Sequence, residues 1–304
     1  MRKRITSLFV VLTLCLSLLP VSALAADGTD QTDSTHEGHY YCGGTTCAHS
    51  DSRIENAQPI ATAEALQAAG SGSYYLTDNI DLSGTWTPKS GTVLCLNGKR
   101  LSLMNANGAV IAVAQGRTFT LLDCKGTGTV THRGSAGGQG VLVNGNFNMY
   151  GGTITQNSGD DSRNDYAGGV YVSGTGNFYM YGGAVKRNYF TANNPDAPHI
   201  AGVLVATGGG ITLSRDADIS DNGTSKDIYL CNNVKIAIGA DGLSGSNRFY
   251  VRLQYRPAYR SGETVEITHP TGTDVSAYFR SSETDCITND RPRDHVVLLT
   301  AKLA

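Results

Sequence analysis

The sequence is short of basic charge, carries a single tryptophan, and has no long apolar run past its first 25 residues. Lys and Arg number 24 against 26 Asp and Glu, a formal charge of −2. Arg2, Lys3 and Arg4 belong to a leader expected to be removed, which leaves 21 basic residues and a charge of −5. Nucleic-acid binding rests on clustered basic charge, so that class is excluded. Highly anionic polymers are disfavoured too, unless a local basic site overrides the balance. No transmembrane segment is expected, because a span needs about 20 consecutive apolar residues. Apolar residues three and four apart never persist long enough for a long helix, and the candidate strands are too short for a meander of hairpins joined by two-residue turns.

What the chain has instead is a repeat. It reads QGVLVNGNFNMYGGTITQN from Gln139, GGVYVSGTGNFYMYGGAVKRN from Gly168 and AGVLVATGGGITLSRDADISDN from Ala201. Each copy holds short strands whose apolar residues fall two apart, as in Val141/Val143, Phe147/Met149 and Ile211/Leu213, the spacing of a strand with one buried face. A third strand centres on Ile154, Val185 or Ile219, and Asn157, Asn188 or Asn222 follows. Equivalent positions Val113, Val143, Val172, Val205 and Leu230 lie 30, 29, 33 and 25 residues apart. Strands this short bury little unless each pairs with its equivalent one repeat later. The sequence therefore predicts a right-handed parallel β-helix of three-strand coils, about seven of them, with stacked ladders as walls.

The motif G-V-x-V…F-x-M-x-G-G-x-I-x-x-N resembles the pectin-lyase-like β-helix repeat of secreted and surface proteins in gut Firmicutes. The corners GGTITQN and GGAVKRN are similar to GGxI/xxN repeats of bacterial autotransporter-type adhesins. The resemblance runs from about Ser73 to the C-terminus. It implies fold and compartment more than activity, because lyases, hydrolases, adhesins and inert stalks share that architecture.

The flanks have their own signals. Residues 1–25 read as a signal peptide, with Ile5 to Leu19 as the apolar stretch and Ala23-Leu24-Ala25 as the cleavage site, so the chain is expected to be exported and released or held non-covalently. Residues 26–53 have linker composition and contain HEGHYYCGGTTCAH. Its His36, His39, Cys42, Cys47 and His49 have spacing suited to tetrahedral zinc, with a Cys42–Cys47 disulfide or free thiols as the alternative. Residues 62–69 read as a short capping helix, with Thr62 as N-cap and Ala63, Leu66 and Ala69 facing the core. Trp86 is expected to pack in this cap. Cys95 and Cys124 are 29 residues apart, near one coil period, and so are expected as vertical neighbours, disulfide-bonded or as buried thiols. Residues 244–304 are expected to form a C-terminal β cap that blunts the last edge, with Cys231 and Cys286 as its tie. The β-helix domain is thus read as 54–304.

Length differences between repeats collect after the asparagine, which places variable loops along one edge, where solenoids bind ligands. That edge offers Arg133, Arg163, Tyr166, Tyr189, Asn193, Asn194, Asp196 and His199 as ligand-binding candidates. Tyr171 and Tyr229 add an outward row with Leu142 and Leu204, which either stacks on sugar rings or packs on itself under a loop. If the protein were a lyase, Asp160, Asp161 and Asp165 would hold calcium while Lys186 or Arg187 served as base. No glycine-bounded calcium loop is present, and the G-H-G and R-x-K patterns of β-helix hydrolases are missing from the register. The expectation is a non-catalytic, monomeric protein that binds a polysaccharide or a cell-surface glycan or protein. A lyase or hydrolase at the loop corner is the first alternative and a structural spacer the second.

Overall fold

The computed structural model describes residues 39, 41, 53–160, 167–191, 200–223, 227–246, 248–255, 257, 261–284 and 286–302. The signal-peptide reading, His36, Cys42, Cys47, His49, Asp161, Arg163, Asp165, Tyr166, Asn193, Asn194, Asp196 and His199 lie outside them.

Three parallel walls of eight, six and seven strands wind around one core. About six turns carry all three, and the fold is a parallel β-helix. The first wall runs from Gln58–Ile60 through Thr92–Cys95, Thr118–Leu122, Asn146–Met149, Asn177–Met180 and Gly210–Arg215 to Ile236–Leu243. The second contains Arg100–Met104, Thr129–Arg133, Thr153–Ile154, Ala184–Lys186 and Asp218–Ser220. The third contains Ile111–Val113, Val141–Val143, Val170–Val172, Val203–Val205 and Ile228–Leu230.

Equivalent residues pair as the spacing predicts: Val141 with Val170, Val170 with Val203, and Val203 with Ile228. The inward residue of every pair is buried, so each added turn extends an apolar column and completes the backbone bonds of the turn below. Phe119, Phe147 and Phe178 form one such column, their rings parallel with centroids 5.8 and 5.2 Å apart. Trp86 meets Phe119 edge-on at 5.3 Å and is 3% exposed, a packing residue as expected.

Both ends are closed. Helix α1, Ala63–Ala68, starts at Thr62, whose hydroxyl accepts from the Ala65 amide at 3.2 Å, and it buries Leu66. The C-terminal region differs from the sequence expectation. Phe249–Leu253 and Phe279–Ser281 are parallel strands of the third wall, continuing the solenoid beyond residue 244. The cap proper is an antiparallel sheet of Thr264–Glu266, Val296–Ala301 and Cys286–Arg291. Cys231 is half-buried, Cys286 is buried, and no disulfide joins them.

Candidate functional site

At the loop edge, most described candidates are engaged. Ser158–Asp160 pairs in parallel with Tyr189–Thr191, so the first residues after two of the ladder asparagines form a small sheet of their own. Arg133 reaches Asp81 at 3.1 Å, and Asp81 also meets Arg100 at 3.3 Å. The Ser102 hydroxyl donates to the same carboxylate; that bond, with the two guanidiniums, holds Asp81 below its ordinary range. Arg187 pairs with Asp221 at 3.1 Å on an open surface, where such a pair is worth little. Lys186 is half-buried and Tyr189 is 54% exposed.

The row Leu142, Tyr171, Leu204, Tyr229 stacks in register. However, Leu204 and Tyr229 are buried against Ala167 and Ile200, and Tyr171 packs on the same cluster. The Leu204–Tyr229 end of the row is covered, so the row is not a flat aromatic surface, and burial pushes the Tyr229 phenol up. Its ring is therefore withdrawn from any sugar-stacking role.

Behind the same corner the asparagines form a ladder. Asn157 Nδ2 donates to Asn188 Oδ1 at 3.0 Å, and Asn188 Nδ2 donates to Asn222 Oδ1 at 3.0 Å. Each Oδ1 also accepts from the backbone amide of the preceding asparagine, at 3.2 Å in both cases. All three are fully buried. Gln156, Arg187 and Asp221, directly before them, have φ of 55°, 54° and 56°. Left-handed turns at non-glycine residues are costly, and the ladder holds the chain in them. One end of the ladder is His132, whose Nδ1 faces Asn157 Oδ1 and whose Nε2 faces the Gly108 carbonyl, each at 2.9 Å. The other end is Asp227, whose Oδ1 accepts from Asn222 Nδ2 at 3.3 Å. Burial raises the Asp227 carboxyl to about 6 against the partial relief of its Asn222 and Tyr250 amide bonds.

A concave site that the loop argument missed lies on the outer face of the first wall. Outward columns there pair Asn146 with Asn177 and Asn148 with Tyr179. Asn177 Nδ2 donates to Asn146 Oδ1 at 3.2 Å, so a second amide ladder begins. It stops at Gly210, the residue in register with Asn177. Gly208, Gly209 and Gly210 present no side chains, and Gly208 turns with φ of 91°. The result is a cleft of about 390 Å³ bordered by Asn177, Tyr179, Thr212, Asn233, Lys235 and His269. A neighbouring hollow of about 500 Å³ shares Lys235 and includes Glu266 and Tyr255. Lys235 contacts Glu266, which also takes Arg291 at 2.7 Å; these two bonds hold the Glu266 carboxyl below its ordinary value. The sequence signal was the triplet GGG at a position where the two preceding copies carry Gly-Asn.

The third assembly brings part of the linker onto this wall. His39 is fully buried, its Nδ1 is 3.1 Å from Cys124 Sγ, and Cys124 Sγ is 3.3 Å from Cys95 Sγ. The histidine ring stacks on Tyr75 with centroids 4.9 Å apart, and its carbonyl accepts from the Ile54 amide at 2.7 Å. Cys95 is in register with Leu122, so the two cysteines are offset by two positions rather than vertically aligned. The Cys95 thiol donating to Cys124, with His39 beside it, lowers Cys124; the same pairing and burial raise Cys95. Zinc was expected among the linker residues, but the structure gives His39 core cysteines as partners.

Comparison with protein-family models, with curated proteins and with solved structures returned no match to this chain. No helix among the described residues is long and apolar enough to cross a membrane.

Proposed function

We propose that this chain is an exported, pectin-lyase-like β-helix that binds glycans of a cell surface or matrix without transforming them, an adhesin-like role. The cleft opened by Gly208–Gly210 carries this reading. It supplies one phenol ring, several amides and hydroxyls, one ammonium and one imidazole over a rigid sheet. Neutral sugars are recognised by ring faces and by paired donors and acceptors, and sites are concave and largely preformed. Lys235, shared with Glu266, adds an ammonium donor, and His269 adds an imidazole. Among the described residues no carboxylate borders the cleft, whereas glycoside hydrolysis needs two flanking the scissile bond. Glu266, in the neighbouring hollow, is already held by Lys235 and Arg291. The loop edge supplies Tyr189 as an additional open ring, while its Arg133 and Arg187 are paired with Asp81 and Asp221.

The test is retention of the purified protein on a panel of pectins, uronans and host glycans, with product release followed in parallel. Gly210→Asn extends the outer amide ladder into the cleft floor. An added Cβ would approach Asn177 Oδ1 at 2.5 Å, the movable end of a side chain. Tyr179→Ala removes the ring. The expected result is retention on at least one polymer, abolished by Gly210→Asn and weakened about fivefold or more by Tyr179→Ala, as loss of a contact worth about 1 kcal/mol implies. Retention unchanged by both variants would move binding away from the cleft. New reducing ends or unsaturated uronates would make the protein an enzyme.

A further inference from the structure

We propose that His39, Cys95 and Cys124 form a zinc-class metal site that clips the N-terminal segment onto the outer face of the first wall. Three donors come from chain positions far apart and meet at one point. His39 precedes the solenoid, Cys95 ends the strand Thr92–Cys95, and Cys124 follows Thr118–Leu122. Their ligand atoms all lie within 4.8 Å of one another, and all three residues are buried. In tetrahedral zinc, thiolate sulfurs stand about 3.7 Å apart, and sulfur and imidazole nitrogen about 3.5 Å. The separations of 3.3 and 3.1 Å fall a few tenths of an ångström inside those edges. Both of these edges need to open by only a few tenths of an ångström to take a central ion, and the third lies within 4.8 Å.

Chemistry favours the same class. Two thiolates and one neutral imidazole suit zinc or another soft, closed-shell ion rather than calcium or magnesium. Two thiolates also neutralise a divalent charge, so the complex is uncharged where an isolated ion would be expensive to bury. Binding displaces the two thiol protons to solvent and involves no oxidation or reduction. The ring that would ligate is already oriented, because Tyr75 stacks on it. A disulfide between Cys95 and Cys124 accounts for two of the donors but gives no role to His39, and the offset register weakens it.

The segment held in this way covers an apolar patch. Tyr41 meets Tyr150 edge-on at 5.2 Å, and Ile54 packs with Tyr75, Cys95, Leu122 and Cys124. Loss of the ion would loosen that cover without disturbing the inward columns.

The experiment titrates the full chain, purified under anaerobic reducing conditions, with cobalt(II) and then zinc. The expected result is one tight equivalent of cobalt with thiolate charge-transfer absorption and intense tetrahedral bands, displaced by zinc. Cys124→Ser should abolish the charge-transfer band, and His39→Gln should weaken binding by about tenfold or more. His39 lies outside the coils, so His39→Gln should keep the β-sheet circular dichroism and remain informative if Cys124→Ser fails to fold. Zinc should also shield Cys95 and Cys124 from alkylation, read by peptide mapping. Failure to bind cobalt overturns the proposal. So does cobalt binding that survives His39→Gln and Cys124→Ser, and so does isolation of Cys95 and Cys124 joined by a disulfide that persists while the chain remains folded.

Discussion

Replacing Asn188 by alanine is the sharpest test of how the corners are held. The side chain sits fully buried in the middle of the inner ladder. Its amide donates to Ile154 O at 3.0 Å, Lys186 O at 3.2 Å and Asn222 Oδ1 at 3.0 Å. Its Oδ1 accepts the Asn157 amide N–H at 3.2 Å and Asn157 Nδ2 at 3.0 Å. Alanine strands the buried Asn157 N–H and breaks the continuity of the ladder. A stranded buried donor costs about 1–3 kcal/mol, and losing the Asn157 Nδ2 bond and the two hydrogens that Asn188 Nδ2 shares among its three acceptors adds about 1 kcal/mol each, giving a destabilisation of about 4–6 kcal/mol. Arg187 would lose the anchor that holds its φ of 54°, which adds to the effect. Asn148→Ala is the matched control, since Asn148 lies half-buried on the outer wall and donates only to Thr120 Oγ1, at 3.3 Å. Its cost should stay below about 1 kcal/mol. Urea unfolding by circular dichroism gives both numbers. Amide hydrogen exchange adds location, because a solenoid coil shares stability mainly with its neighbours. Protection should fall first in Val170–Val172 and Ala184–Lys186. An Asn188→Ala stability within 1 kcal/mol of Asn148→Ala would refute the ladder as the corner's support.

Two further changes probe the core and the ladder's end. Phe147→Ala opens a cavity between Phe119 and Phe178 and should cost about 3–5 kcal/mol in urea unfolding, with the fold retained. Asp227→Asn should make stability depend less on pH. The Asp227 carboxyl sits at about 6 in the folded chain against an ordinary 3.8, so the folded state binds its proton more tightly than the unfolded state does. Its contribution is most favourable below pH 4 and is lost as pH rises through 6, by no more than about 3 kcal/mol. Asp227→Asn should therefore exceed the wild type in stability at pH 8 and match it near pH 4, measured by urea midpoints. An advantage of the same size at both pH values would show that the carboxylate's charge is not the cause.

Much of the solenoid could be read directly, because its signal is local and repeated. Valines two apart marked the third wall, Phe147 and Phe178 marked the inner column of the first, and asparagines at one corner marked the inner ladder. Thr62 followed by an Ala/Leu stretch marked the helix that closes the first coil. The two late coils were harder. Phe249–Leu253 and Phe279–Ser281 carry no Gly-Gly corner and no asparagine, so their alternation reads as part of the C-terminal β cap although they extend the third wall. The outward aromatic row was legible in register but not in exposure, since Ala167 and Ile200 cover it from segments whose course the repeat does not dictate. The cysteine pair was misaligned for a related reason. Counting residues placed Cys124 one period after Cys95, whereas the ladder pairs Cys95 with Leu122 because the intervening corners are shorter than the average coil. The partners of His39 lie 56 and 85 positions away, and no spacing rule reaches across such a distance.

Both candidate sites occupy the outer face of the same wall, and the physics of a solenoid accounts for that. Inward positions must stay apolar to continue the columns, and corner positions must keep the turns and the asparagine ladder. The outward positions of a long, regular wall are the ones left to differ from coil to coil without breaking the stack. At the N-terminal end they are apolar or sulfur-bearing, Tyr75, Cys95, Leu122 and Tyr150, and they are covered by the segment around His39, Tyr41 and Ile54. Beside Leu122 and Tyr150, in the same coils, run two polar columns: Thr118, Asn146 and Asn177, which stops at Gly210, and Thr120, Asn148 and Tyr179. A scaffold whose only aim was length would repeat its outer face as faithfully as its inner one. Here the inner face repeats while the outer face differs from column to column, an apolar column covered at its N-terminal end beside polar columns that end at an open cleft. That asymmetry favours a binding protein with a clipped N-terminal segment over an inert spacer.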